Sequence, residues 1–192
     1  MVRPSFLDPK TPFHFNGASF NIDGGRTVLD FWRWAYSDVF QNVTRGYVAQ
    51  FIIAWLVGAD KKEPNNPFQS FDIQIPDGKR IEVKSTSWLQ SWRVKKPNPL
   101  FVIKPAYTWD DERGYGKEKT FNADIYALCY YYWKDMQTAD LLDLSQWHFW
   151  AFSKKELIEI LGRSKSITID RLKKLELSPI DPIKMRNTLI AL

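Results

Sequence analysis

The stretch DIQIPDGKRIEVKS, Asp72 to Ser85, decides how this 192-residue chain folds. It holds two short alternating runs split by Pro76-Asp77-Gly78. Side chains alternate faces along a strand, so burying Ile73, Ile75, Ile81 and Val83 together places Asp72, Gln74, Glu82 and Lys84 on one face. The turn fixes which residues oppose. A three-residue hairpin loop is a type I turn followed by a left-handed residue. Pro76 suits the position of fixed φ and Gly78 the left-handed one. Ile75 then faces Lys79, and by register Asp72 faces Glu82. A two-residue Asp77-Gly78 loop would pair Ile73 with Glu82 and mix the two faces. The apolar pattern therefore selects the three-residue loop.

Two carboxylates across a hairpin repel each other unless a cation neutralises them. Mg²⁺ takes oxygen ligands, often one or two carboxylates completed by water and phosphate oxygens. Lys84 adds a positive charge beside the pair, able to orient or deprotonate an attacking water or to stabilise charge on a phosphate. This is a minimal set for metal-assisted phosphodiester hydrolysis. The same side chains are also the wet face of an ordinary hairpin, with Glu82 and Lys84 as a surface ion pair. The residues alone leave both readings open.

Composition narrows the classes. Hydrophobic residues make up 44% and charged residues 26%, as in a folded globular chain. A net charge of +5 is compatible with a polyanionic partner without requiring one. A single cysteine, Cys129, excludes a disulfide framework or a zinc knuckle within one chain and reads as a small core residue. With only His14 and His148, a nucleophile–histidine triad has little raw material, and His148 reads as a packed strand position. The longest apolar run, FIIAWLVGA at 51–59, is too short to span a bilayer, and no leader-like segment opens the chain. The expected location is cytoplasmic, with no membrane partner.

Along the chain, 1–26 reads as an irregular arm and 28–40 as a helix. Thr44 is the expected N-cap of a second helix ended by Gly58. That helix is apolar on nearly all sides except at Arg45 and Gln50, which predicts a central, buried element. After the hairpin, strands are expected at 100–105, 122–133 and 146–153. A long polar loop is expected at 108–119. A helix at 154–162 ends at Gly162, and SITIDRLKKL gives a short strand and a helix. The expected class is α/β, a central mixed β-sheet flanked by helices. The whole of 1–192 is expected to be one domain, with a core over 27–162 and a C-terminal extension over 163–192.

Asp72 followed by IEVKS, with Glu82 and Lys84, resembles the core of the PD-(D/E)xK nuclease superfamily, the restriction-endonuclease-like fold. The likeness extends to RGYVAQFIIAWLVGA (45–59), IEVKSTSWLQSW (81–92), ADIYALCYYY (123–132) and SQWHFWAFSKKEL (145–157). In that order these resemble a family of bacterial and phage proteins within the superfamily. The resemblance implies that Asp72 and Glu82 bind Mg²⁺ (or Mn²⁺), joined by the Val83 carbonyl, and that Lys84 acts on the water. Many members add a glutamate from the first core helix; the matching position here is Gln50, an uncharged departure. Gln90, six residues after Lys84, matches a polar residue that contacts phosphate or water in similar nucleases; capping its own loop is the alternative. Ser85 and Thr86 face the cleft or end the strand. Asp124 is either a third acid or a partner for a neighbour. Trp88 and Trp92 flank the nucleic acid or close the core. Arg93, Lys95, Lys96, Lys104 and Arg113 are candidates for phosphate contacts.

The expected function is a Mg²⁺-dependent deoxyribonuclease, an endonuclease acting on DNA. The alternatives are a catalytically weak or inactive nucleic-acid-binding module with the same fold, or a structural protein with a charged hairpin. Cutting both strands would favour a homodimer.

Overall fold

The computed structural model describes residues 21–22, 25–59, 69–91, 97–110 and 113–192. Most of the expected arm, and with it Trp92, Arg93, Lys95 and Lys96, lies outside them. A minimal ladder of β1 (Asn21–Ile22) and β2 (Arg26–Thr27) leads into α1 (Val28–Tyr36). Thr27 caps α1 reciprocally with Asp30: each side chain bonds the other residue's main-chain N–H.

Helix α2 (Asn42–Val57) starts two residues before the expected cap. Gln41 holds the N-cap position, and Thr44 lies inside the helix, its hydroxyl accepting from Gln41 Nε2 at 2.7 Å. The first turn extends over Asn42 and Val43, so Thr44 has no helix end to cap. Gly58 closes α2 as expected, at φ +74°, with its N–H on the Ala54 and Trp55 carbonyls.

Strands β3 (Ile73–Gln74) and β4 (Arg80–Ser87) form the decisive hairpin. Ile73 pairs with Ile81 and Gln74 with Arg80; Ile75 N–H donates to Lys79 O at 3.0 Å, and Gly78 sits at φ +91°. This is the three-residue register read from the turn chemistry, and it carries Asp72 to the position opposite Glu82.

Next come β5 (Leu100–Val102), β6 (Ala106–Asp110), β7 (Gly114–Thr120) and β8 (Ile125–Tyr131), then β9 (Trp147–Ser153) and α3 (Lys154–Leu161). The chain ends through β10 (Ser166–Thr168), α4 (Ile169–Lys174) and α5 (Pro182–Ala191). The described residues build a central sheet in the order β3-β4-β8-β9, with β4 and β8 parallel and the outer pairs antiparallel. The α/β class with a central mixed sheet flanked by helices is what the sequence predicts.

β8 is buried along its whole length, as a strand covered on both faces must be. On one face Ile81, Val83, Ala127 and Cys129 pack under Ala49, Ile52 and Ile53 of α2 and Met185 and Leu189 of α5. On the other, Leu128, Trp150 and Phe152 meet Phe101, Leu157, Ile167 and Leu172. The stretch expected as an extension beyond 162 contributes side chains to both halves of the core. His148 lies on β9, stacked on Tyr132 at 4.1 Å, as a packed strand position.

Three further expectations need correction. The strand at 100–105 is shorter and pairs with β10, outside the central sheet. The expected polar loop is instead the hairpin β6–β7. Both its strands are largely exposed, so no buried face imposes alternation; cross-strand pairs hold it instead. Trp109 packs edge-on to Tyr115 at 4.8 Å, and Lys119 lies over the Tyr107 ring. Gly116 sits hard against Thr108, where a Cβ would collide with the hydroxyl. Finally, α2 is buried along one side only. Tyr47, Phe51 and Trp55, spaced four apart, are exposed, because the sheet offers the helix a single face to cover. No helix among the described residues is long and apolar enough to cross a membrane.

Candidate functional site

Asp72 enters β3 with its main-chain N–H bonded to Ile81 O at 3.0 Å. Its carboxylate bridges two elements: Oδ2 accepts from Val83 N–H of β4 at 2.6 Å, and Oδ1 accepts from Gln50 Nε2 of α2 at 2.8 Å. Lys84 Nζ donates to Glu82 Oε1, two residues apart on one face of β4. Asp72, Glu82, Lys84 and Gln50 therefore converge, from three elements, at the outer edge of β4.

That edge is uncovered because β3 is so short. It pairs only with residues 80 and 81, so from Val83 onward no strand among the described residues flanks β4 on this side. Trp88 N–H bonds Tyr131 O on the inner side, whereas Val83 N–H turns outward to Asp72. By alternation the N–H and C=O groups of Val83, Ser85 and Ser87 all point to the open edge. The Val83 carbonyl is thus aimed the way a metal ligand there would need to be.

Electrostatics mark the pair. Burial, reinforced by the nearby Glu82 charge, pushes the Asp72 carboxyl up to about 6, against the opposing pull of the Val83 N–H and Lys84. A half-buried carboxylate pair short of positive charge suits an oxygen-seeking dication. Its protein donors here would be Asp72, Glu82 and the Val83 carbonyl, with Gln50 holding Asp72 through its amide N–H. Among the described residues no group of three or more His, Cys, Asp or Glu is placed to hold a metal ion.

The remaining candidates separate. Gln90 Oε1 accepts from Arg45 at 3.2 Å, and its Nε2 caps Ser87 O at 3.1 Å, so it tethers the chain after β4 while lining the same cleft as Lys84. Ser85 and Thr86 also line that cleft. Asp124 is taken up by Arg80, whose main-chain N–H, Nε and Nη2 all donate to it at 2.9–3.3 Å; these bonds hold its carboxyl below the usual carboxylate range. It is a partner rather than a third acid. Trp88 packs against the second core with Lys134 over its ring. Lys104 is exposed just past β5, and Arg113 is exposed in the β6–β7 turn. Cys129 is fully buried, and burial raises its thiol pKa, so it is an inert core residue.

Sequence reasoning passed over Arg45 as a mere exception in an apolar helix. It is 3% exposed and bonds Phe40 O at 2.9 Å, Gln90 and Asn42. The signal was there: Arg45 is the one charged residue in the sixteen of α2.

No protein-family model matches the chain, and no curated protein matches it. Among solved structures it is similar to a bacterial homing endonuclease, at 15% identity and a TM-score of 0.36, over 65% of this chain and 74% of that one. A likeness that loose leaves the reading of the site to this chain's own residues.

Proposed function

We propose that this chain is a Mg²⁺-dependent nuclease of the PD-(D/E)xK superfamily that hydrolyses DNA phosphodiester bonds. The reading rests on one observation: the half-buried Asp72 carboxylate lies, by register, opposite Glu82 at an open sheet edge beside Lys84. When bound, the cation would lower the pKa of a water and offset charge on the phosphoryl oxygens. Asp72 and Glu82 would hold it, with the Val83 carbonyl. Val83 N–H and Gln50 fix the Asp72 carboxylate so that it need not reorganise. Lys84 orients the attacking water in line with the leaving oxygen and stabilises charge developing on the phosphate.

Gln50 favours a second reading. Its amide supplies a hydrogen bond where many members carry an acid, so the site has one negative charge fewer. A nucleic-acid-binding module with a weakened site is the corresponding alternative.

Supercoiled, linear and single-stranded DNA incubated with purified protein and Mg²⁺ or Mn²⁺ separates the two. The nuclease reading expects cleavage that Asp72→Ala abolishes. Binding without cleavage of any substrate would leave the module.

A further inference from the structure

The cleft that begins at Lys84 runs on among the first turn of α2, β4 and the segment 97–102, as a cavity of about 430 Å³. Arg45 lies at its α2 wall, and Ser85, Ser87 and Gln90 belong to its β4 side. Three features of this end are unexplained by folding alone. Arg45 is almost wholly buried, yet no carboxylate among the described residues pairs with it; its hydrogen bonds go to a carbonyl and two amide oxygens. Its Nε and the Ser87 hydroxyl are both buried without a hydrogen-bond partner among the described residues. The α2 end carries no acid in its first turn, so the positive pole of the helix adds to the uncompensated cation.

A buried cation lacking a counter-charge costs free energy. Here burial alone accounts for the drop of the Arg45 pKa to about 10, which leaves it charged at neutral pH. The donors around it are those an oxyanion needs: a guanidinium fork, the Ser87 hydroxyl, and the main-chain N–H groups of Ser85 and Ser87 aimed at the same edge.

We propose that this cavity is a phosphate subsite, in which Arg45 and Ser87 hold a backbone phosphate of the nucleic acid next to the one placed at Lys84. The assignment rests on the nuclease reading for its ligand, not for its chemistry: free inorganic phosphate would satisfy the same donors. Gln90 would then be the positioning residue that aims the Arg45 guanidinium.

The test uses the full chain in EDTA at low salt. Gln90→Glu gives Arg45 an internal carboxylate without removing it, and Ser87→Ala deletes a donor with little change of volume. One readout is binding of a labelled 20-base-pair duplex by anisotropy across a salt series. The other is the melting temperature with and without inorganic phosphate. We expect Gln90→Glu to melt higher than wild type in phosphate-free buffer and to lose the stabilisation by phosphate. It should bind duplex roughly tenfold more weakly, with a salt slope lower by about 0.9. Ser87→Ala should weaken both ligands without the gain in melting temperature. Unchanged duplex affinity and unchanged phosphate protection in both variants overturn the subsite, while leaving the nuclease reading standing. Phosphate protection in a protein that binds no duplex keeps the anion pocket but overturns its assignment to a duplex backbone phosphate, and leaves the nuclease reading to the cleavage assay.

Discussion

Two neighbouring charge clusters on β4 hold the same kinds of charge and put them to opposite use. At the start of the strand Arg80 clasps Asp124 across to β8, with the guanidinium and main chain both on one exposed carboxylate. That acid is held below the usual range and its charge is satisfied. Two residues further on, Glu82 and Lys84 pair beside Asp72, and there the half-buried Asp72 is held above the usual range. Proximity of acid and base is common to both clusters. What differs is burial and the count: one cation per acid at the clasp, one cation for two acids at the open edge. An unbalanced, desolvated cluster at an edge is where a ligand is expected; a balanced one is fastening.

Breaking each cluster in turn should give effects of very different size. Lys84→Met should reduce DNA cleavage by on the order of 10²–10⁴-fold, read from the rate of supercoil nicking, whereas Arg80→Met should leave it within a few-fold. Comparable losses from both would erase the distinction.

The next effect is one of stability. The folded pKa of Asp72 lies above the unfolded value of about 3.9, so between those two values the native state binds more protons than the unfolded one. Without metal, stability then falls as pH rises through about 6. Asp72→Asn removes that penalty. In urea melts with EDTA it should be more stable than wild type at pH 7.5 by on the order of 2 kcal/mol, with the gap closing by pH 4. Added Mg²⁺ should narrow the gap at pH 7.5 by stabilising only the wild type. A gap independent of pH would mean that the Asp72 charge is already balanced.

Asp124→Asn should show the smallest effect and the opposite sign. Its folded pKa is lowered, so its contribution is present at neutral pH and fades as pH falls through that value. Its exposure limits the loss to on the order of 0.5 kcal/mol, seen as a slightly lower urea midpoint at pH 7 and none at low pH.

The sequence was most legible where one face is buried and a turn has strict chemistry. The β3–β4 register followed from Ile73, Ile75, Ile81 and Val83 acting with Pro76 and Gly78, and with it the placement of Asp72 opposite Glu82. The β6–β7 hairpin was invisible for the complementary reason: exposed on both faces, it carries no alternation, and its cross-strand pairing of Trp109 with Tyr115 is not a periodic signal. Helix α2 was legible as a helix but not in its orientation. Its apolar residues run around the axis, and only tertiary packing decides that Ile52 and Ile53 go in while Phe51 and Trp55 stay out. Its two polar exceptions carried more information than its apolar majority: Gln50 reaches Asp72, and Arg45 reaches the cleft. A lone charge in an apolar helix next to a candidate site is a signal worth following.

Calorimetric titration of Mn²⁺ into metal-free protein at pH 7 tests most directly whether Asp72 and Glu82 form a cation site. Wild type should bind Mn²⁺ at a site that Asp72→Asn and Glu82→Gln each abolish and that Asp124→Asn leaves intact. Binding that survives both of the first two substitutions, or that is lost with Asp124, would contradict it.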